Sequence, residues 1–143
     1  MEVLELVTTL MIGLYAGSLL TEGMILVPYW RRMAPQDFFR LHGDVGPSLF
    51  RYFALLTAAA MGMSFITAVA AFDPLAWQSL AALLCSVALA IFFIHFRKAN
   101  AAFANRSLTH DELGPALERW SAWHWTRTLV IVGAFAASIV AIL

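Results

Sequence analysis

The fold is decided by residues 52–96, which read YFALLTAAAMGMSFITAVAAF, then DP, then LAWQSLAALLCSVALAIFFIHF. Two long apolar runs without Lys, Arg, Asp or Glu stand on either side of Asp73-Pro74, a dipeptide typical of a tight turn. A helix needs roughly 20 apolar residues to cross a bilayer. This stretch therefore predicts two membrane-spanning helices joined by a short turn.

Two further apolar runs lie outside this pair, one before it and one after it. The first extends from about Leu4 to Pro28, and the last follows Trp120–Trp125 and reaches Leu143. A capping box, Thr109 with Glu112, predicts that the last helix begins near Asp111 and continues into its span. We predict an all-α membrane protein, a single four-helix transmembrane bundle with spans at about 4–28, 47–72, 75–96 and 123–143.

The composition agrees with a protein that folds in a bilayer. The chain has 143 residues, of which 62% are hydrophobic and 13% charged, whereas soluble domains carry about 25% charged residues. The mean hydropathy is +0.78. The net charge is zero, which argues against nucleic acid as a partner. We therefore expect the lipid bilayer to be the main surroundings of this chain.

The basic residues lie in or beside two polar segments, one between the first two spans and one between the last two. The nine Lys and Arg residues are at positions 31, 32, 40, 51, 97, 98, 106, 119 and 127. Cytoplasmic loops of membrane proteins carry an excess of Lys and Arg. This pattern predicts both Arg-rich segments in the cytoplasm and both termini outside, in the inner (plasma) membrane of a bacterium, where we expect a homo-oligomer.

Glu22 is the charged residue that stands deepest in the first span. It precedes Trp30 by eight residues, which places it about 12 Å inside the membrane at ~1.5 Å per residue. Thr8, Tyr15, Glu22 and Tyr29 are seven residues apart and therefore share one helix face. An intramembrane carboxyl indicates a functional site, although a structural hydrogen bond from a protonated Glu22 is an alternative.

Further ionisable residues are expected at the same depth as Glu22, on all four helices. Trp120, His124 and Arg127 share a face of the fourth helix by i, i+4 and i+3 spacing. The complete set is Glu22, His42, Arg51, His95, His124 and Arg127. We predict a polar cavity in the inner leaflet, while interfacial histidines and an arginine that snorkels to the headgroups remain the structural alternative.

A metal site is a further alternative. Glu22, His42, His95 and His124 are residue types that bind iron, copper or zinc, but no pair of them has a recognised ligand spacing. The cofactor is therefore left open among none, a transition metal such as iron or copper, and haem.

The chain resembles the anthrone oxygenase-like family of small four-helix integral membrane proteins. The resemblance lies in Tyr15-Ala16-Gly17-Ser18 leading to Pro28, in Asn100, and in Trp120-x-x-Trp123-His124-x-x-Arg127. It implies oxidation of a small phenolic or polyketide-like substrate by molecular oxygen, sometimes without a cofactor. By matching positions, it also implies that Asn100, Trp120, His124 and Arg127 are functional residues.

These observations together favour an oxidoreductase, specifically an oxygenase, that acts on a small lipophilic, phenolic or enolisable substrate. His124 or His95 would act as base, with Glu22 as a further catalytic group, while Arg127 and Asn100 would stabilise an enolate. The substrate would also contact Trp120, Trp123, Arg51 and Tyr15. The alternative is a protein without catalysis: a small transporter or channel subunit, or an assembly partner that binds metal or haem.

The one-sided charge distribution makes the membrane topology testable. Reporter fusions or residue labelling should place both termini outside the cytoplasm and both Arg-rich segments inside it. A C-terminus found in the cytoplasm would contradict the predicted orientation.

Overall fold

Four long helices make up the computed structural model, which describes residues 1–143. They are α1 (Glu2–Trp30), α2 (Pro35–Ala71), α3 (Trp77–Ala104) and α4 (His110–Ile142), and there is no β-strand. Each helix is long and apolar enough to cross a membrane. The prediction of an all-helical chain with four potential membrane spans is therefore confirmed.

Three of the helices extend beyond the predicted spans, into the polar segments. α2 begins at Pro35 rather than near residue 47, because the preceding stretch is itself helical and carries Pro47 in its interior. Phe38 and Phe39 bury their side chains there and hold this first part of α2 against the bundle. α3 likewise continues to Ala104 instead of ending at Phe96.

The start of α4 matches the predicted capping box. The backbone N–H of Thr109 donates a hydrogen bond to Glu112 Oε2 at 2.8 Å, and the helix begins at His110. It then continues without interruption through Gly114 and Pro115 into the apolar span. Pro115 is the sixth residue of the helix, beyond the first turn, so its missing N–H leaves the Asp111 carbonyl oxygen without that helical hydrogen bond.

The helices pack as a closed four-membered arrangement. α1 and α3 each pack against both α2 and α4. Short connections at 31–34, 72–76 and 105–109 make successive helices antiparallel. Both chain termini and the α2–α3 turn therefore share one end, here named the terminal end. The other two connections, with Arg31, Arg32 and Arg106, form the loop end.

Apolar side chains fill the bundle at two levels. The cluster nearer the terminal end contains small residues and aliphatic chains, together with Tyr15. The cluster nearer the loop end is mainly aromatic: Trp30, Phe38, Phe39, Phe96, Phe103 and Trp120. Large apolar side chains also cover the outer faces of the helices, as Leu14, Phe65 and Ile94 do. Such outward apolar faces suit a bundle surrounded by lipid.

Two π-helical turns interrupt the α-helical hydrogen bonding, at Glu22–Leu26 in α1 and at Phe92–Phe96 in α3. A π-turn adds one residue to a helix turn and therefore rotates all the residues that follow. Trp30 is consequently buried, whereas Tyr29 is 58% exposed. The predicted polar stripe is thus confirmed for Thr8, Tyr15 and Glu22 but is wrong for Tyr29.

Pro28 accounts for the first π-turn. A proline inside a helix has no N–H to donate, and its ring clashes with the carbonyl of the residue four positions earlier. The wider turn at Glu22–Leu26 ends just before Pro28, where it relieves this clash. The distortion therefore includes Glu22, the carboxylate deepest in the helix.

Candidate functional site

A buried cluster of three ionisable side chains joins α1 to α4. Arg127 Nη2 lies 3.6 Å from Glu22 Oε2 and 3.1 Å from His124 Nδ1, and the same carboxylate oxygen lies 3.5 Å from Nδ1. The exposed fractions are 5% for Glu22, 0% for His124 and 7% for Arg127. The structure thus brings together three of the residues predicted at the site. We refer to them as the Glu22–His124–Arg127 triad.

The hydrogen bonds of His124 define the tautomer of its ring. Nε2 lies 2.9 Å from the Leu19 carbonyl oxygen, which can only accept, so Nε2 carries the proton. Nδ1 then accepts a hydrogen bond from Arg127, which can only donate. Gly23 permits this approach, because a Cβ at that position would stand 3.0 Å from Nε2. Both ring nitrogens of His124 are therefore engaged within the protein.

Arg127 and Glu22 retain unused hydrogen-bonding capacity. The guanidinium stacks on the Phe96 ring, with its central carbon 4.2 Å from the ring centroid. Arg127 Nε and Glu22 Oε2 are both buried without a hydrogen-bond partner. Buried polar atoms in native proteins are nearly always paired, so atoms of this kind indicate a functional role. The triad is a compact charged centre that can still engage a further polar group.

A cavity of about 520 Å³ lies beside the triad, towards the loop end. Its aromatic walls are Trp30, Phe50, Phe53, Phe92, Phe103 and Trp120. Its polar lining consists of Glu22, His42, Arg97 and Asn100. Small residues, Gly43 and Gly46 on α2 and Ala101 and Ala104 on α3, leave the space open. Such a mainly apolar cavity with few polar groups is typical of a small-molecule site.

Trp120 separates the cavity from His124. Its ring stacks on the imidazole with centroids 5.0 Å apart and planes at 8°. Its Nε1–H donates to Asn100 Oδ1 at 2.9 Å. His124 itself does not line the cavity, and its predicted role as base stays a prediction. The triad member that reaches the cavity is Glu22.

His42 is the histidine that lines the cavity. Its Nδ1 lies 3.2 Å from the Phe38 carbonyl oxygen, to which it donates when the ring is neutral. Its ring packs on Phe38 and, edge-on, against Trp30, with centroids 3.9 and 4.9 Å away. Nε2 makes no hydrogen bond within the chain. A ligand in the cavity can therefore meet Glu22 and His42 together.

Four residues predicted at the site lie elsewhere. His95 stacks on Trp123, with centroids 5.4 Å apart, outside the cavity. The π-turn at Phe92–Phe96 carries His95 and turns Phe96, not His95, towards Arg127. Arg51 is exposed on α2, and Tyr15 is buried in the cluster nearer the terminal end. His95, Trp123, Arg51 and Tyr15 therefore do not line the cavity.

The four residues predicted to bind a metal do not come together. No group of three or more His, Cys, Asp or Glu side chains is placed so that it could hold a metal ion. Glu22 contacts His124, but His42 lies across the cavity and His95 packs against Trp123. The geometry does not fit the metal site formed by Glu22, His42, His95 and His124.

Sequence reasoning missed Arg97, Trp30 and Phe53 as cavity residues. Trp30 was missed because regular helical spacing places its neighbour Tyr29, not Trp30, on the inward face; only the π-turn exchanges the two. Arg97 resembled an ordinary interfacial cation. Pro28 was the one local signal that could have indicated the change of register.

A lipid-facing groove between α1 and α2 adjoins the cavity. It measures about 620 Å³ and is lined by Leu14, Gly17, Ser18 and Tyr52, among others. Groove and cavity share three lining residues: Glu22, Leu49 and Phe53. The Ser18 and Tyr52 hydroxyls lie 2.8 Å apart, within hydrogen-bond distance, and connect the two groove walls. The carboxyl group of Glu22 thus lies where the groove meets the cavity.

Comparison with known proteins returned no match: no family model, no curated protein and no solved structure is significantly similar to this chain.

The triad predicts a strong energetic coupling between α1 and α4. Glu22→Gln or Arg127→Gln alone should each lower the free energy of unfolding by about 3–5 kcal/mol, because each leaves one buried charge without its partner. The double variant should cost clearly less than the sum of the two. Reversible unfolding in mixed detergent–SDS micelles measures all three variants.

The exposed Arg32 serves as the matched control, and Arg32→Gln should change the free energy of unfolding by less than about 0.5 kcal/mol. Additive effects of the two single changes would show that Glu22 and Arg127 do not interact.

Proposed function

We propose that the chain is an integral membrane oxidoreductase that uses molecular oxygen to oxidise a small lipophilic, phenolic or enolisable substrate. The observation that carries this proposal is the position of Glu22. Glu22 is 5% exposed, is paired with Arg127, and lines an aromatic-walled cavity. A buried carboxylate facing an apolar cavity is suited to remove a proton from a flat, weakly acidic molecule.

The proposed mechanism assigns different tasks to the cavity and the triad. Glu22 accepts the proton from the substrate's activated C–H or O–H group. The side-chain amide of Asn100 and the guanidinium of Arg97 face the same cavity and stabilise the resulting enolate oxygen. His124 and Arg127 act as positioning residues, since they hold Glu22 but do not line the cavity.

The resemblance to anthrone oxygenases gains support from the arrangement of its four matching residues. Asn100 accepts a hydrogen bond from Trp120, Trp120 stacks on His124, and His124 accepts a hydrogen bond from Arg127. They form one connected row from the cavity to the triad. Residues scattered over 28 positions of the sequence, from 100 to 127, thus support a single function.

We further propose the membrane setting of this reaction. The loop end carries the Arg-rich segments and would face the cytoplasm of a bacterial inner membrane, with both termini outside. The substrate would dissolve in the bilayer, as oxygen does, and reach Glu22 along the groove between α1 and α2. The protein would work as a homo-oligomer, with lipid, substrate and oxygen as its other partners.

Anthrone oxidation tests the activity. Anthrone would lose a proton and then react with O₂, giving anthraquinone and one molecule of water, which accounts for both oxygen atoms. The purified protein in lipid nanodiscs should accelerate oxygen uptake and quinone absorbance together. The double variant Glu22→Gln/Arg127→Gln removes the base without leaving a buried charge unpaired. It should lower the rate by on the order of 10²–10⁴. Asn100→Ala should lower it by on the order of 10²–10³.

His110→Ala is the control, because His110 is exposed at the start of α4 and does not line the cavity. Its activity should equal that of the unmodified protein. Metal content and the optical spectrum of the same preparation report whether a metal or haem is present. Anthrone binding detected by tryptophan fluorescence, without oxygen uptake, would contradict catalysis and favour the carrier or channel alternative.

The groove predicts the route of the substrate. Gly17→Phe should fill the groove, since a Cβ at residue 17 meets no atom within 4 Å and the added ring would project into open space. We expect a KM at least about tenfold higher with little change in kcat, because the substrate would reach the cavity less readily while the residues around the bound substrate stay unchanged. Gly62→Phe is the matched control, since Gly62 is equally open but lies on the outer face of α2. Equal KM values for the two variants would exclude this route.

A further inference from the structure

A second polar cluster lies near the terminal end, far from the triad. It draws on all four helices and surrounds a void of about 10 Å³, room for roughly one water-sized sphere. Its polar members are Glu5, Thr8, Thr9, Ser64, Thr67, Gln78 and Ser138. The five hydroxyl residues are each at most 6% exposed. We refer to this group as the hydroxyl cluster.

The hydroxyl hydrogens in this cluster are already used within the protein. Ser64, Thr67 and Ser138 donate to backbone carbonyls of their own helices at 2.8–2.9 Å. Thr9 donates to the Ser138 carbonyl oxygen across the α1–α4 contact at 3.2 Å. The Thr8 and Thr67 hydroxyl oxygens lie 2.6 Å apart, and both lie within hydrogen-bond distance of the Met63 carbonyl oxygen, at 3.4 and 2.9 Å. One hydroxyl therefore donates to this carbonyl and the other has the same carbonyl or the first hydroxyl as its acceptor. Towards the void, the hydroxyl oxygens can therefore act only as acceptors.

Glu5 and Gln78 complete the same pattern. The Gln78 amide donates to Glu5 Oε1 at 2.7 Å, which leaves the Gln78 carbonyl oxygen and Glu5 Oε2 as further acceptors. The seven side chains thus surround the void with oxygen atoms that accept and with few hydrogens that donate. A water molecule donates only two hydrogen bonds, whereas a hard cation interacts with every oxygen around it.

We propose that the hydroxyl cluster binds one sodium ion. The single carboxylate, Glu5, balances one positive charge, and the other ligands are neutral hydroxyl and amide oxygens. The void has space for one small ion, and a divalent cation such as Ca²⁺ is usually bound by several carboxylates. Glu5 lies near the start of α1 and is half-buried, so the ion reaches the site from the aqueous phase at the terminal end.

Sodium bound here would connect all four helices and stabilise the bundle. The thermal unfolding midpoint of the purified full-length chain in detergent should rise by several degrees as NaCl replaces choline chloride at constant ionic strength. The rise should saturate with sodium concentration, because a ligand that binds only the folded state stabilises by mass action. KCl should produce a smaller rise, since the void is too small for the larger ion.

Variants then locate the sodium response. Glu5→Gln should raise the sodium concentration that gives half of the rise in midpoint at least tenfold. Ser138→Ala should raise it as well. Ser86→Ala is the matched control, because Ser86 is exposed on α3 and bonds only the Ala82 carbonyl of its own helix. Its sodium response should be unchanged. Equilibrium binding of radioactive sodium to the unmodified chain provides a second readout that needs no variant.

An equal midpoint in sodium and choline, together with no bound sodium, would overturn the proposal and leave water in the void. An identical rise when either NaCl or KCl replaces choline chloride would overturn it too, because the site would then not select sodium. A sodium response that Glu5→Gln leaves intact would place the ion elsewhere. None of these results depends on whether the cavity near the loop end is catalytic.

Discussion

The buried pair of Glu22 on α1 and Arg127 on α4 is the constraint on which the rest of the bundle depends. Either charge alone inside an apolar bundle would be strongly destabilising, so the two helices must meet at one register. His124 reinforces that register by donating to the Leu19 carbonyl oxygen across the same interface. The cavity lies beside this contact, where small residues of α2 and α3 leave space.

The π-turn at Glu22–Leu26 determines which side chains of α1 line the cavity next to the Glu22–Arg127 contact. Glu22 lies at the start of the turn, inside the bundle, and the turn brings Trp30 inward, so that one helix gives the cavity both a carboxyl group and an aromatic wall. Gly23 allows the His124 ring to approach the backbone at the same point. A regular α-helix would present Tyr29 instead and would bring a different surface to the cavity. Local irregularity of this kind is frequent at functional sites.

The sequence was sufficient for the architecture and for the centre of the candidate site. Apolar runs of spanning length predicted four helices, and i, i+3 and i+4 spacing predicted that His124 and Arg127 would share a face with Glu22 in reach. Depth alone could not determine which side of a helix each residue occupies. His95 and Arg51 lie at a suitable level but point away, because rotation about a helix depends on packing and on π-turns that hydropathy does not report.

The central claim is that a lipophilic substrate is bound against Glu22 in the cavity whose aromatic walls include Trp30 and Trp120. An experimental structure of the full-length chain with bound anthrone tests this most directly. The account predicts a planar ligand in the cavity between α2 and α3, with its oxygen-bearing ring within hydrogen-bond distance of Glu22 or Asn100 and the Glu22–Arg127 pair intact. A ligand bound only on the lipid-facing surface, or a Glu22 side chain turned away from Arg127, would contradict it.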